Sequence, residues 1–384
     1  MLKPFGEVVA SPYEIQHTEE AVGDLTERIL SLGEETRVVM EATGAYHLPL
    51  LLSLKERGIF VSVINPLAMK KYATTSIRKG KTDKMDSVRI ASYGLDNWLK
   101  LDEHKPPEAI YAELNALGRQ YNHYITVKVS CALALTNLLD RAMPGIKQLL
   151  PLGGQGHSPK DKLCDFAEEY WHYDNIARMS ENRFVNAYNR WAKKKGYHPS
   201  EAKAKAIYAL VTEGIPTLPS NAASTKTMMM EAVRVLKEVN RTLATILSQM
   251  WGIAVTLPEY DTVRAMRGVG DVLAPRLIAE IGDVRRFKNG SSLVAHAGID
   301  SPPFQSGAFV GTRRKISKRG SASLRKTGYE VMRCLKTSKP EDDNAVYLFI
   351  LKKEAEGKPK KVAKIAGLNK FLRIYYARVM EVYK

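Results

Sequence analysis

Cysteine is scarce in this chain. Its 384 residues include three, Cys131, Cys164 and Cys334. They lie far apart and form no Cys-x-x-Cys pair, which excludes a disulfide framework and a thiolate zinc site and suits a reducing compartment. No apolar run is long enough for a membrane-spanning helix, so no membrane partner is expected. The N-terminus carries no secretory signal, which points to the cytoplasm. His47, His123, His157, His172 and His296 are scattered and read as structural or solvated groups rather than ligands. Acidic charge is in deficit: 41 Asp and Glu stand against 58 Lys and Arg, a net charge of +17. A field of that sign favours a polyanionic partner, and nucleic acid fits it better than a membrane surface. At 45% hydrophobic and 26% charged the rest is ordinary globular composition, and the length implies two or three domains.

The stretch that organises the chain runs from Pro302 to Gly311, Pro-Pro-Phe-Gln-Ser-Gly-Ala-Phe-Val-Gly. Its prolines and glycines predict a loop. Gly307 follows Ser306, so little bulk shields that hydroxyl. Arg313, Arg314, Lys315, Lys318, Arg319, Arg325 and Lys326 come within the next twenty residues. Fixed cations at that density suit a phosphodiester, whose charge must be neutralised before a hydroxyl attacks it. Taken alone, the pattern equally describes a surface serine beside a solvated basic face.

In chain order, residues 6–15 read as a strand with a proline-marked irregularity, and residues 18–32 as an amphipathic helix. The apolar run from Arg37 to Gly44 reads as a buried strand presenting Glu41 at its C-terminal end. A helix over 46–57 and a second buried strand from Phe60 to Pro66 follow, which argues for a parallel α/β layer. A basic segment then leads into a helix near Thr82 or Asp83, either of which could cap it. Asp83 and Asp86 share one helical face. A lone Asp-x-x-Asp is most simply a cap plus a solvated acid, but Glu41 in the preceding βα unit adds a third carboxylate. Such sets grip hard divalent metals. Long helical patterns fill 107–150, followed by helical segments near 161–195, 200–213 and 222–257. This middle reads as spacer and dimerisation surface, with its Trp and Met residues in the core or at helix contacts. Beyond Pro258, Gly268-Val269-Gly270 opens a helix ending at Gly282. That resembles a helix–hairpin–helix element, whose helix-start N–H groups receive a phosphate. A short helix between Phe287 and Gly298, and helices over 320–337 and 341–384, complete the chain.

Together these residues resemble the insertion-sequence "one-ten" transposases, understood as bridge-RNA-guided serine recombinases. The marks are Glu-Ala-Thr-Gly-Ala-Tyr at 41–46, Val-Ile-Asn-Pro at 63–66, Lys-Thr-Asp-Lys-Met-Asp-Ser at 81–87, the Gly-Val-Gly helix, Ala-Glu-Ile-Gly-Asp at 279–283, Ala-Gly-Ile at 297–299, and Gln-Ser-Gly at 305–307 with Lys-Arg-Gly at 318–320. The resemblance implies an α/β plus α architecture. A RuvC/RNase H-like domain would span 1–104, a helical coiled-coil region 105–257, and a mostly helical transposase domain 258–384. It makes Glu41, Asp83 and Asp86 the second, third and fourth acids of an Asp-Glu-Asp-Asp set holding Mg²⁺ or Mn²⁺, and Ser306 the nucleophile. It further implies a covalent 5′-phosphoserine link to DNA and a composite site completed across a dimer or tetramer. Bridge RNA would read target and donor by base pairing, at the nucleoid of a bacterial cytoplasm. Gly268, Gly270, Arg313, Arg314, Lys315, Lys318 and Arg319 are the expected nucleic-acid contacts.

One mark is missing. The family's first Asp sits on a Gly-Ile-Asp strand, whereas this chain opens Met-Leu-Lys-Pro-Phe-Gly-Glu-Val and matches only from the third strand on. Neither Glu7 nor Glu14 matches the position. The expectation is a sheet without its first two strands, an uncovered strand edge and weak strand cleavage. Two other readings compete: a metal-dependent junction nuclease in which water attacks, and a non-catalytic DNA- or RNA-binding relic.

Overall fold

In a computed structural model of the protein the described residues are 1–42, 44, 46–74, 82–153, 160–301, 305–306, 309–310 and 315–384. They divide into two compact units, Met1–Pro106 and Pro107–Lys384. The helical middle and the C-terminal segment both fall in the second.

The first unit is built from α1 (Glu19–Leu30), β1 (Arg37–Glu41), α2 (Leu48–Glu56), β2 (Phe60–Ile64), α3 (Pro66–Ala73) and α4 (Asp83–Asp96). β1 and β2 pair in parallel, with Glu41 opposite Ile64, as the strand–helix–strand pattern predicts. Ile29, Met40, Leu51, Leu54, Ile59 and Val61 form the core between the helices and the two strands. Asn65 accepts a hydrogen bond from the Leu67 amide, and Pro66 stands in the first turn of α3. This Asn-Pro start turns the segment after β2 into a helix that the charge pattern alone did not reveal. Thr82 caps α4 by accepting from the Met85 amide.

Residues 6–15 are not a strand. Phe5 and Gly6 take positive φ values of 65° and 83° and turn the chain back. An isolated bridge between Leu2 and Val8 is what results. Among the described residues β1 is hydrogen-bonded on one side only, by β2. A cavity of 1370 Å³ borders β1, lined by Val38, Val39, Ile29, Ile90 and Ala91 among others.

The second unit contains two long helices, α5 (Ala109–Ala142) and α11 (Ala223–Ala254). Between them lie α6 (Ile146–Leu149), α7 (Lys162–Tyr170), α8 (Asp174–Ala177), α9 (Glu181–Lys194) and α10 (Glu201–Glu213). The segment expected as one helix over 161–195 is three, because Trp171 takes a φ of 28° and breaks the first. After α11 come α12 (Tyr260–Ala265), α13 (Gly270–Ile281), α14 (Gly290–His296), β3 (Gln305–Ser306), β4 (Phe309–Val310), α15 (Ala322–Ser338), α16 (Ala345–Ala355) and α17 (Lys360–Val382).

Two cores share the long helices. Tyr111, Leu114 and Tyr121 of α5 meet Val239, Leu243 and Met250 of α11 in a core with α12–α17. Leu135, Leu139 and Ala142 meet Met229, Val233 and Leu236 in a core with α6–α10. The early half of α5 thus faces the late half of α11, so the pair is antiparallel. Met229 and Trp191 are buried as the sequence suggests, whereas Met228 and Trp251 are 41% and 48% exposed. The buried Glu259 carboxylate accepts from the Tyr111 hydroxyl at 2.8 Å and the Tyr383 hydroxyl at 2.5 Å. Burial first, then this carboxylate, pushes the Tyr383 hydroxyl up to about 12.

Candidate active site

Ser306 stands on a short antiparallel ladder rather than in the irregular loop that its prolines and glycines suggested. Gln305 pairs with Val310, and Ser306 with Phe309. Two segments flanking this hairpin are joined backbone to backbone. The amide of Ser317 donates to the Asp300 carbonyl at 2.8 Å, that of Lys318 to Gly298 at 2.9 Å, and that of Ser321 to His296 at 2.7 Å. The Ser317 hydroxyl adds a bond to the Asp300 carboxylate. Nη1 of Arg325 donates to the carbonyls of both Ala297 and Gly320, 3.0 Å each. This stem needs glycine on both sides. Gly298 has a φ of +63°, and a β-carbon on Gly320 would sit 2.0 Å from the His296 carbonyl oxygen.

The stem rests on a polar layer. The Glu280 carboxylate of α13 accepts from Asn122 of α5 at 3.0 Å and from Ser323 of α15. Ser321 caps α15 by accepting from the Leu324 amide. Arg286 donates to Nε2 of His296 at 3.2 Å. That imidazole is pushed down to about 4, by burial first and then by the Arg286 charge, so it is neutral at pH 7 and Nε2 is an acceptor. Lys315, Lys318 and Arg319 are exposed along the same stem. Arg313, Arg314 and Gly307 lie outside the described residues.

In the first unit, β1 and α4 run in opposite senses. Gly94, late in α4, sits against Val39, where a β-carbon would meet Val39 Cγ2 at 2.8 Å, and Arg37 at the start of β1 donates to the Trp98 carbonyl just past α4. The start of α4, with Asp83 and Asp86, therefore points towards the Glu41 end of β1. From that crossing Asp86 lies about 12 Å along the helix and Glu41 about 7 Å along the strand. Asp86 also forms an ion pair with Arg89 at 2.9 Å.

Comparison with known proteins decides the family. A transposase model of the DEDD IS110 type matches residues 1–144, and one described as "Transposase IS116/IS110/IS902 family" matches residues 260–347. The chain belongs to the IS110 family of transposases. Pilin gene-inverting proteins of Moraxella lacunata and Moraxella bovis are each 22% identical to it, over 90% of this chain and 80% of theirs. An insertion element IS116 protein of 44.8 kDa from Streptomyces clavuligerus is 23% identical over 72% of this chain and 67% of its own.

Membership in the IS110 family gives the motifs a physical reading. Ala-Gly-Ile at 297–299 and Lys-Arg-Gly at 318–320, twenty residues apart in sequence, are the two sides of one stem. Glu280 ties α5 to α15. Gly268, expected at a phosphate, packs instead against α15: a β-carbon there would lie 2.9 Å from the Val331 carbonyl oxygen. Gly270 opens α13 with free space around its Cα, and Asp271 in the first turn forms an ion pair with Arg264. The contribution of Arg325 went unread in the sequence because its charge hid a role in bonding backbone carbonyls. Carboxylates are the right donors for a hard divalent cation. Yet among the described residues no group of three or more His, Cys, Asp or Glu stands close enough to hold one.

Proposed function

We propose that this transposase cuts and rejoins DNA through a covalent serine intermediate at Ser306, guided by a bridge RNA. The Ser306 oxygen attacks a backbone phosphorus and its proton passes to solvent or a base. The bond from phosphorus to the 3′ oxygen breaks, and that oxygen leaves as a 3′-OH. Rejoining is the reverse, with a 3′-OH from another strand displacing the serine. Energy of the phosphodiester is kept in the phosphoserine link, so no nucleotide cofactor is needed.

The observation that supports this reading is the stem. In sequence it brackets Ser306, which pairs on its own two-residue ladder, and it is built from backbone bonds, paired glycines and Arg325 and carries exposed Lys315, Lys318 and Arg319. Positioning of that kind is what a nucleophile requires. Glu41, Asp83 and Asp86, at one end of the α/β layer, belong to the same proposal as the residues that would hold Mg²⁺ or Mn²⁺. A bound cation there would supply Lewis-acid assistance, but the described residues do not gather the three donors and no step above depends on it. The RuvC-like character of the first unit, the two-fold or four-fold assembly and the guide RNA are part of the same reading.

The test is trapping. The protein is incubated with a plasmid carrying its complete insertion sequence, including any non-coding RNA, then denatured in detergent. Protein should remain joined to DNA 5′ ends, Ser306→Ala should abolish the adduct, and removal of the RNA should abolish its site selectivity. Cleavage without an adduct would show that water is the nucleophile and would overturn the proposal.

A further inference from the structure

The turn between α16 and α17 is a basic exposed feature of the second unit that the site above does not use. Lys352, Lys358, Lys360 and Lys361 are all exposed, and none forms an ion pair among the described residues. The carboxylates nearby are engaged: Glu354 bonds Lys336 at 2.8 Å and Glu356 bonds Lys353 at 2.7 Å. Glu356 is held below its ordinary range first by that bond and then by the charges of Lys353, Lys352 and Lys358, which places these lysines around one turn. Gly357, with a φ of +78°, makes the turn, and the Lys358 amide closes it on the Lys353 carbonyl.

The start of α17 adds to the field. Pro359 offers no side-chain cap, no acidic residue lies in the first turn, and Lys360 and Lys361 occupy it instead. A helix start carries partial positive charge, so cations there cost stability. The chain accepts that cost at a turn where these lysines also lack an ion pair among the described residues. An anion seated on the turn relieves both.

We infer that the α16–α17 turn is a docking surface for the backbone of duplex DNA. Duplex DNA rather than unpaired nucleic acid follows from the chemistry. Bases of single strands are held by stacking on open aromatic rings. The rings here are already covered: Phe349 by Lys353 and Lys370, Tyr347 by Lys336, and Tyr329 by Lys364. Ammonium groups on flexible stems, without an arginine fork, neutralise phosphates and read no base. The turn therefore anchors DNA of any sequence. The inference rests on DNA being the substrate and not on the chemistry of Ser306.

The experiment compares two triple variants of the full chain, both in a Ser306→Ala background so that no strand is cut. One carries Lys358→Gln, Lys360→Gln and Lys361→Gln. The other carries Lys193→Gln, Lys194→Gln and Lys226→Gln, three lysines exposed elsewhere in the second unit. Both lose the same charge. Binding to a 40-base-pair duplex of arbitrary sequence is followed by fluorescence anisotropy between about 50 and 200 mM salt. The slope of log K against log salt should become shallower by about 2–3 for the first triple, at about 0.9 per lost phosphate contact, and by less than about 1 for the second. Helicity by circular dichroism should be unchanged, since the first triple removes cations from a helix start. Equal changes in both triples would make net charge the cause and overturn the inference. So would an unchanged slope, absence of duplex binding by the parent chain, or a slope change confined to a structured RNA probe. Each of these outcomes leaves Ser306 trapping, and thus the proposed chemistry, untouched.

Discussion

A β-carbon placed on Gly298 would lie 2.5 Å from the backbone nitrogen of Gly320. No side chain fits that approach. Gly298→Ala adds strain from its φ of +63° to the clash, and both partners are backbone that must move. Gly282 makes a control, because its φ is +66° but nothing lies within 4 Å of the added carbon. Gly282→Ala, at a φ of 66° and a ψ of −156° nearly confined to glycine but free of any clash, should cost about 1–3 kcal/mol in urea unfolding, whereas Gly298→Ala and Gly320→Ala, which add a backbone clash, should each cost about 1 kcal/mol or more beyond that. Faster hydrogen exchange at the amides of Ser317, Lys318 and Ser321 should accompany both. Equal losses at Gly282 and Gly298 would show that the stem does not depend on close approach.

Arg276 on α13 is buried, 2.6 Å from Glu330 of α15 and with its guanidinium 5.0 Å from the centre of the Tyr121 ring. The pair is lopsided: the arginine side chain is 7% exposed and the glutamate 31%. Glu330→Ala strands a buried cation, whereas Arg276→Met leaves a carboxylate that water can reach. We expect about 3 kcal/mol for the first and about 2 kcal/mol for the second. The order of the two, measured by denaturant unfolding, is the test, and the reverse order would contradict it.

The His296 imidazole makes stability pH-dependent. Folded, it is pushed down to about 4 by burial and by Arg286, with the ring of Phe287 beside it at 5.3 Å and the backbone of Glu280 as a further partner. Unfolded, it returns to its ordinary range near 6.5. Between those values the unfolded chain binds the extra proton, so stability is full above about 6.5 and falls as pH drops towards about 4. The loss should be about 3 kcal/mol by pH 4 relative to a His296→Asn variant. Parallel curves for the two proteins between pH 4 and pH 7 would remove His296 from the account.

Much of this architecture is legible in the sequence. Apolar periodicity marks α1, α2, α5, α11 and both parallel strands, and Thr82 marks the start of α4, because each depends on neighbours a few residues away. What escaped reading depends on distant partners or on one unusual dihedral. Residues 6–15 alternate like a strand but have no ladder to join. The break at Trp171 rests on a single φ. The stem on either side of the Ser306 segment joins residues twenty apart in sequence, so its glycines show as motif letters without their reason. Asn65-Pro66 is a different case: the pair is a helix start written in neighbouring residues, with an Asn cap and a first-turn Pro, and Lys70 and Lys71 give the same segment a basic composition.

The antiparallel α5–α11 pair has a mechanical consequence. The chain passes from one core to the other twice, between Tyr121 and Leu135 and between Leu236 and Val239, and both crossings fall inside a helix. No loop there can act as a joint. The pair is a stiff strut about 51 Å long, and tilting it by about 5° carries its far end about 4 Å. Whatever grips the α6–α10 lobe therefore has direct leverage on the end that holds the Ser306 stem.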